Sequence, residues 1–173
     1  MKWVYLLRHA AASFGNLTQD DHTRPLSPKG REEAYRIGRY MIDHQLIPDA
    51  VFCSESIRTR ETWEFLNVEV NPVNVFFEKI LYLADARSLL RYISLIPDKY
   101  QRILLIGHAP GLADLTLNLA TIRNNNDRDF FHHVGARFVT ASMAIIESTA
   151  SSWADLPYTP SQILNIISPH NLG

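Results

Sequence analysis

The sequence predicts an α/β fold, a three-layer α/β/α sandwich around a mainly parallel central sheet, and three observations predict it. Continuous apolar runs such as "KWVYLL" (2–7) and "RILLIGH" (102–108) have the composition of strands buried on both faces. Between such runs lie stretches whose apolar residues recur at i, i+3, i+4 and i+7, as on helices with one buried face. The two kinds of segment alternate along the chain, which implies right-handed crossovers between parallel strands. At 173 residues the chain fits one domain, 1–173. A chain of this length buries roughly 70% of the surface its unfolded form exposes.

The first strand, 2–7, is followed by about twenty polar, irregular residues. "SPKGREEAYRIGRYMIDH" then opens a helix, with Ser27 as N-cap, Pro28 at the first helical position, and Ala34, Ile37, Gly38 and Met41 on one face. "DAVFCS" (49–54) reads as the second strand, and a helix from about Ser56 aligns Thr59, Thr62, Trp63 and Leu66. "VNVFFE" (73–78) is the third strand, after which Asp85 caps a helix bearing Ala86, Leu89, Leu90 and Ile93 at the same spacing. The fourth strand, 102–108, runs into a helix from about Pro110 with Leu112, Leu115, Thr116 and Leu119 inward. "FVTASMAIIE" (138–147) supplies a fifth strand, and the tail beyond it, with Trp153 and three prolines, shows no readable period. The polar run Arg123 to Asp129 reads as one surface loop.

Composition narrows the function. Seventeen basic residues against eighteen acidic give a formal charge of −1, so no global field attracts nucleic acid or an anionic membrane, and any anion site is local. The single cysteine, Cys53, excludes an internal disulfide framework and fits a reducing, cytoplasmic setting, with Cys53 itself a small buried hydrophobe. The apolar run before Arg8 is too short for a signal-peptide core, and no apolar run reaches the about 20 residues of a membrane span.

In a parallel sheet, ligands gather outside the carboxyl ends of the strands. Four residues with phosphate chemistry stand there: Arg8 and His9 after the first strand, Arg58 just past the second, and His108 at the end of the fourth. Guanidinium forks match phosphate oxygens, and the turn at Pro110 and Gly111 brings a helix N-terminus to the same edge. The sequence has neither G-x-x-x-x-G-K-[ST] nor G-x-G-x-x-G, nor an acidic cluster for Mg²⁺, so a nucleotide-triphosphate site is not expected. Phosphoryl transfer without metal must draw its nucleophile and its charge neutralisation from side chains, which a histidine between arginines supplies.

"LLRHA" at the first strand, "SESIRTRET" after the second and "LLIGHAPGL" at the fourth resemble the signatures of the histidine phosphatase (phosphoglycerate-mutase-like) superfamily. "DDHTRPLSPKGREEA", "LYLAD" and "ISPHNL" are similar to the small SixA-type phosphohistidine phosphatases within it. The resemblance implies a cofactor-independent phosphatase with no metal, His9 as the nucleophile, and Arg8, Arg58 and His108 holding the non-bridging oxygens. Arg58 matches the family arginine, four after Ser54 and four before Thr62, with Arg60 the competing choice. The general acid of the larger members, a Glu in an L-x-E pattern, is replaced by Leu81-Tyr82-Leu83, leaving Asp85, Glu78 and Asp21 as possible donors. An alkoxide leaving group needs such an acid and an imidazole does not, which points to phosphohistidine on a protein as substrate.

Each residue also has a plainer reading. Arg8 and His9 could be a surface pair, His108 a satisfied loop histidine and Arg58 a solvated helix face. Arg24 reaches either a phosphate or substrate carboxylate, or only holds the long loop through Asp20 or Asp21. His132 and His133 lack a third metal ligand, and His22, His44 and His170 read as surface residues. The competing functions are a small-molecule phosphomonoesterase, acting for example on a sugar phosphate, and a non-catalytic phosphate-binding module. In every case the partner is a phosphorylated protein or small molecule.

Overall fold

A computed structural model describes residues 1–16, 18–120, 132, 134–136 and 138–172. The expected loop from Arg123 to Asp129, and His133, lie outside the described residues. The main elements in chain order are β1 (Lys2–Arg8), α1 (Pro28–Asp43), β2 (Ala50–Ser54), α2 (Ile57–Leu66) and β3 (Val75–Glu78). They continue with α3 (Ala86–Ile93), β4 (Arg102–Gly107), α4 (Gly111–Leu119), β5 (Met143–Ser148) and β6 (Ser161–Ile167). The six strands form one sheet in the order β3-β2-β4-β1-β5-β6, in which β1 to β4 and β6 run in one direction and β5, between β1 and β6, runs antiparallel to both.

The continuous apolar runs are explained by a core on each side of the sheet. Val4 and Leu6 of β1 join Phe52, Leu105 and the α3 and α4 residues Leu89, Ile93, Leu112 and Leu115. Tyr5 and Leu7 face the other way, to Leu104, Ile106 and the α1 and α2 residues Ile37, Met41 and Leu66. Successive side chains of a strand point to opposite faces, so a strand covered on both has no position left for a polar residue. Helix α1 begins as the sequence indicates: the Ser27 side chain accepts a hydrogen bond from the Gly30 amide, with Pro28 at the first turn. Such a cap is worth about 1 kcal/mol.

Two expectations need correction. The fifth strand begins at Met143, not Phe138, because the chain turns between Val139 and Ser142 and Ala141 takes a left-handed φ of 57°. The tail that showed no period contains β6, an edge strand paired antiparallel to β5 across a register shift at Ile145/Ile146.

Register positions the site. In the parallel β1/β4 pair Arg8 lies opposite Gly107, and the His9 amide donates to the Gly107 carbonyl at 3.0 Å. The residues that leave these two strands, His9 and His108, therefore emerge side by side at the carboxyl edge.

Candidate active site

The His9 and His108 rings have centroids 5.5 Å apart. His9, Arg58 and His108 are all buried, and Arg58 sits within α2, whose first turn faces the same edge. Its Nη2 approaches His108 Nδ1 at 3.4 Å. Spacing within α2 explains the arrangement: Thr62, one turn on, donates from Oγ1 to the Arg58 carbonyl and accepts from the Ala10 amide at 3.0 Å, tying the turn after His9 to the arginine-bearing helix. Buried Glu33 of α1 holds the same turn, accepting from the Ala11 amide at 2.9 Å.

Each imidazole has one nitrogen committed. His9 Nδ1 lies 2.7 Å from the Ala10 carbonyl oxygen, which can only accept, so the proton sits on Nδ1 and Nε2 keeps a lone pair. His108 Nε2 lies 2.8 Å from Ser54 Oγ, and its Nδ1 faces a guanidinium that can only donate. Burial, then the Arg58 and Arg8 charges, pushes His9 down to about 4 despite the opposing Ala10 bond. Burial, then His9 and Arg58, pushes His108 down to about 3. Both rings are therefore neutral near pH 7, the form in which an imidazole is a nucleophile.

The arginines are held at one end and open at the side. Arg58 donates from Nη1 to the Asp21 carbonyl at 2.8 Å and from Nη2 to Asp21 Oδ2 at 3.0 Å, while Arg8 donates from Nη1 to the Phe138 carbonyl at 2.9 Å. The Nε atoms of Arg8 and Arg58 are buried with no hydrogen-bond partner among the described residues. Burial and the neighbouring Arg58 charge also disfavour the Arg8 cation. Two crowded cations with buried free donors can bind a tetrahedral dianion, which would neutralise the pair and satisfy both Nε groups.

Other predicted residues lie variously. Arg24 donates from Nε to Asp21 Oδ1 at 3.0 Å, so it does hold the loop, and its charge is also felt at His9. Arg60 is directed away, bonded to the Glu55 carbonyl and stacked over Phe77. Of the three candidate acids, Asp85 caps α3 through the Ser88 amide, Glu78 accepts from Tyr92, and Asp21 alone touches Arg58. His22, expected at the surface, is half-buried against Tyr82 with ring centroids 4.9 Å apart. Cys53 is buried and free. No three histidine, cysteine or acidic side chains among the described residues form a group that could hold a metal.

Sequence reasoning did not assign Tyr82. Its hydroxyl donates to Asp21 Oδ2, its ring edge meets His108 at 5.3 Å, and its face lies 5.8 Å from the Arg58 guanidinium. The signal was present in "LYLAD", where a tyrosine occupies the segment that bears a Glu in acid-bearing members of the family.

A family described as the histidine phosphatase superfamily (branch 1) matches residues 4–81. A candidate phosphohistidine phosphatase SixA from Nakamurella multipartitia superposes with a TM-score of 0.84 at 26% identity, covering 97% of this chain and 96% of that one. The protein histidine phosphatase SixA complexed with tungstate shares the fold, with a TM-score of 0.78 at 19% identity over 99% of both chains. An uncharacterised protein of Mycobacterium tuberculosis is 29% identical over 150 residues, 87% of this chain and 91% of its own. The superfamily match over residues 4–81 and the SixA-like fold over nearly the whole chain together support a phosphatase. No helix among the described residues is long and apolar enough to cross a membrane.

Proposed function

We propose that residues 1–173 form a single catalytic domain, a cytoplasmic, cofactor-independent phosphatase that removes phosphate from phosphohistidine on a protein. His9 Nε2 attacks phosphorus as the bond to the leaving group breaks, and the proton stays on Nδ1, hydrogen-bonded to the Ala10 carbonyl, as the ring becomes N-phosphorylated. The side-facing Nε and Nη2 donors of Arg58, with Arg8, take the non-bridging oxygens and stabilise the charge that spreads over them in transfer. His108 completes the cradle from Nδ1. It gains the hydrogen there either by protonation or by exchanging tautomers, since the Ser54 hydroxyl can accept from or donate to Nε2. Water then cleaves the phosphorylated His9 and regenerates the enzyme.

One observation carries this reading: two buried guanidinium Nε atoms, with no partner among the described residues, stand in the same cradle as an imidazole whose Nδ1 is committed and whose Nε2 keeps its lone pair. Two further features support the substrate. Leu83 occupies the place of the Glu in the L-x-E pattern, so the acid an alkoxide would need is replaced there by a leucine, and the SixA relative is itself described as a protein histidine phosphatase with tungstate, a phosphate-like oxyanion, bound. The test is release of inorganic phosphate from a phosphohistidine-bearing protein. Wild-type protein is expected to release it with or without EDTA, and His9→Ala to release none and to form no acid-labile phosphoenzyme. Turnover surviving His9→Ala overturns the nucleophile, and strict dependence on added metal overturns the cofactor-free mechanism.

A further inference from the structure

We propose that Asp21 determines leaving-group specificity: its carboxylate receives the N–H of a leaving nitrogen that is already protonated, so the enzyme selects cationic phosphoramidates over phosphate esters. This rests on the His9 mechanism above and names the chemistry of the substrate's other half.

Burial fixes the direction of approach. The cradle is enclosed, with the Arg58 side chain 3% exposed, whereas the Asp21 side chain bonded to it is 49% exposed. A phosphoryl group seated on Arg58 came from solvent, so the group it is leaving lies on the solvent side, where Asp21 stands. A cavity of about 370 Å³ lined by Phe14, Gly15, Asn16, Gln19, Asp21 and Arg24 adjoins the cradle there. Glu33, the other carboxylate near the turn, is buried beneath it and cannot meet a leaving group.

Asp21 is built to stay ionised. It accepts from Arg58 and Tyr82 on Oδ2 and from Arg24 on Oδ1, which leaves acceptor capacity on Oδ1. The Tyr82 hydroxyl, ahead of the Arg58 and Arg24 charges, holds it below the usual carboxylate range. An ionised carboxylate cannot protonate an alkoxide, but it can bind a group that brings its own proton. In a protonated phosphohistidine, His9 Nε2 forms the new P–N bond as the old one breaks. The electron pair returns to the departing ring nitrogen, and the proton on the other ring nitrogen remains there, hydrogen-bonded to Asp21. A neutral imidazole departs and no proton is transferred. Phosphoramidate behaves alike, its cationic nitrogen leaving as ammonia.

The experiment compares Asp21→Asn and Asp21→Glu with wild-type protein on phosphoramidate and on p-nitrophenyl phosphate, whose leaving group needs neither proton nor cation. Tungstate affinity is measured alongside, to report on Arg58. Asp21→Asn is expected to lose kcat/KM on phosphoramidate by about tenfold more than on p-nitrophenyl phosphate, the scale of one charge-assisted hydrogen bond, with the excess in KM and partial recovery in Asp21→Glu. Equal losses on both substrates, tracking tungstate affinity, overturn the proposal, because Asp21 then acts only through Arg58. Wild-type turnover of p-nitrophenyl phosphate with none of phosphoramidate overturns the nitrogen–phosphorus substrate itself.

Discussion

Two arginines in α2, Arg58 and Arg60, are separated by one residue, and helix geometry sends them to different fates. At 100° per residue they diverge by about 200°, so burying one exposes the other. Arg58 enters the cradle, with Asp21 holding its end-on fork and Nε left open, while Arg60 lies over Phe77. A lysine cannot reproduce this, since one ammonium cannot hold Asp21 at its end and face an oxyanion from its side. Arg58→Lys is therefore expected to weaken tungstate binding by at least about tenfold, and Arg60→Ala to leave it within twofold, by titration calorimetry. Equal effects of the two changes would remove Arg58 from the cradle. Sequence alone left this choice to the spacing from Ser54 and Thr62, and that spacing has a physical basis. Residues four apart share a helix face, so Thr62 can bond both the Arg58 carbonyl and the Ala10 amide.

Among the elements, those whose signals are local were the legible ones. Helix α1 announces itself by its Ser27 cap, its Pro28 and a period-matched inner face, and Gly38 on that face is there for a packing reason. A Cβ at Gly38 would lie 1.8 Å from the Leu66 carbonyl oxygen, so the glycine lets α1 and α2 approach backbone to backbone. Gly38→Ala must push the helices apart, and it is expected to destabilise the fold by about 1–3 kcal/mol, read as a lower Tm, with activity per folded molecule retained. An unchanged Tm would mean the helices have slack that this contact denies. What the sequence concealed was non-local. "FVTAS" alternates like a strand, yet it turns so that its backbone can serve β1: the Phe138 carbonyl receives Arg8, the Ser142 carbonyl receives the Arg8 amide, and the Ala141 amide reaches the His9 carbonyl. The tail likewise takes its order from distant partners. Trp153 is fully buried with Nε1 on the Tyr100 carbonyl and Lys2 4.9 Å from its ring, and β6 exists through its pairing with β5. None of these partners lies within a window that periodicity can scan.

For the whole molecule, a cradle that keeps two neutral histidines among arginines makes folding depend on pH in a definite direction. An unfolded histidine titrates near 6.5, whereas His9 and His108 in the fold are pushed down to about 4 and about 3, first by burial and then by the charges around them. Between these values the unfolded chain carries protons that the folded one refuses, so acidification draws molecules toward the unfolded state. Stability is complete above about 6.5 and declines toward pH 4, by at most about 1.4 kcal/mol per pH unit for each histidine. The carboxylates whose values are lowered, among them Asp21, Asp98 and Asp155, add their own losses only below the ordinary carboxylate range, so pH 4.5–6.5 isolates the histidines. Urea unfolding across that window is expected to show the decline in wild-type protein and a flatter profile in a His9→Asn, His108→Asn double variant, whose amides carry no titrating proton. Saturating tungstate should restore stability at pH 5, because a bound dianion favours the protonated ring of His108 and neutralises the guanidiniums that oppose it. A double variant with the full wild-type slope would place the refused protons elsewhere, and with them the neutral imidazoles on which the proposed nucleophile depends.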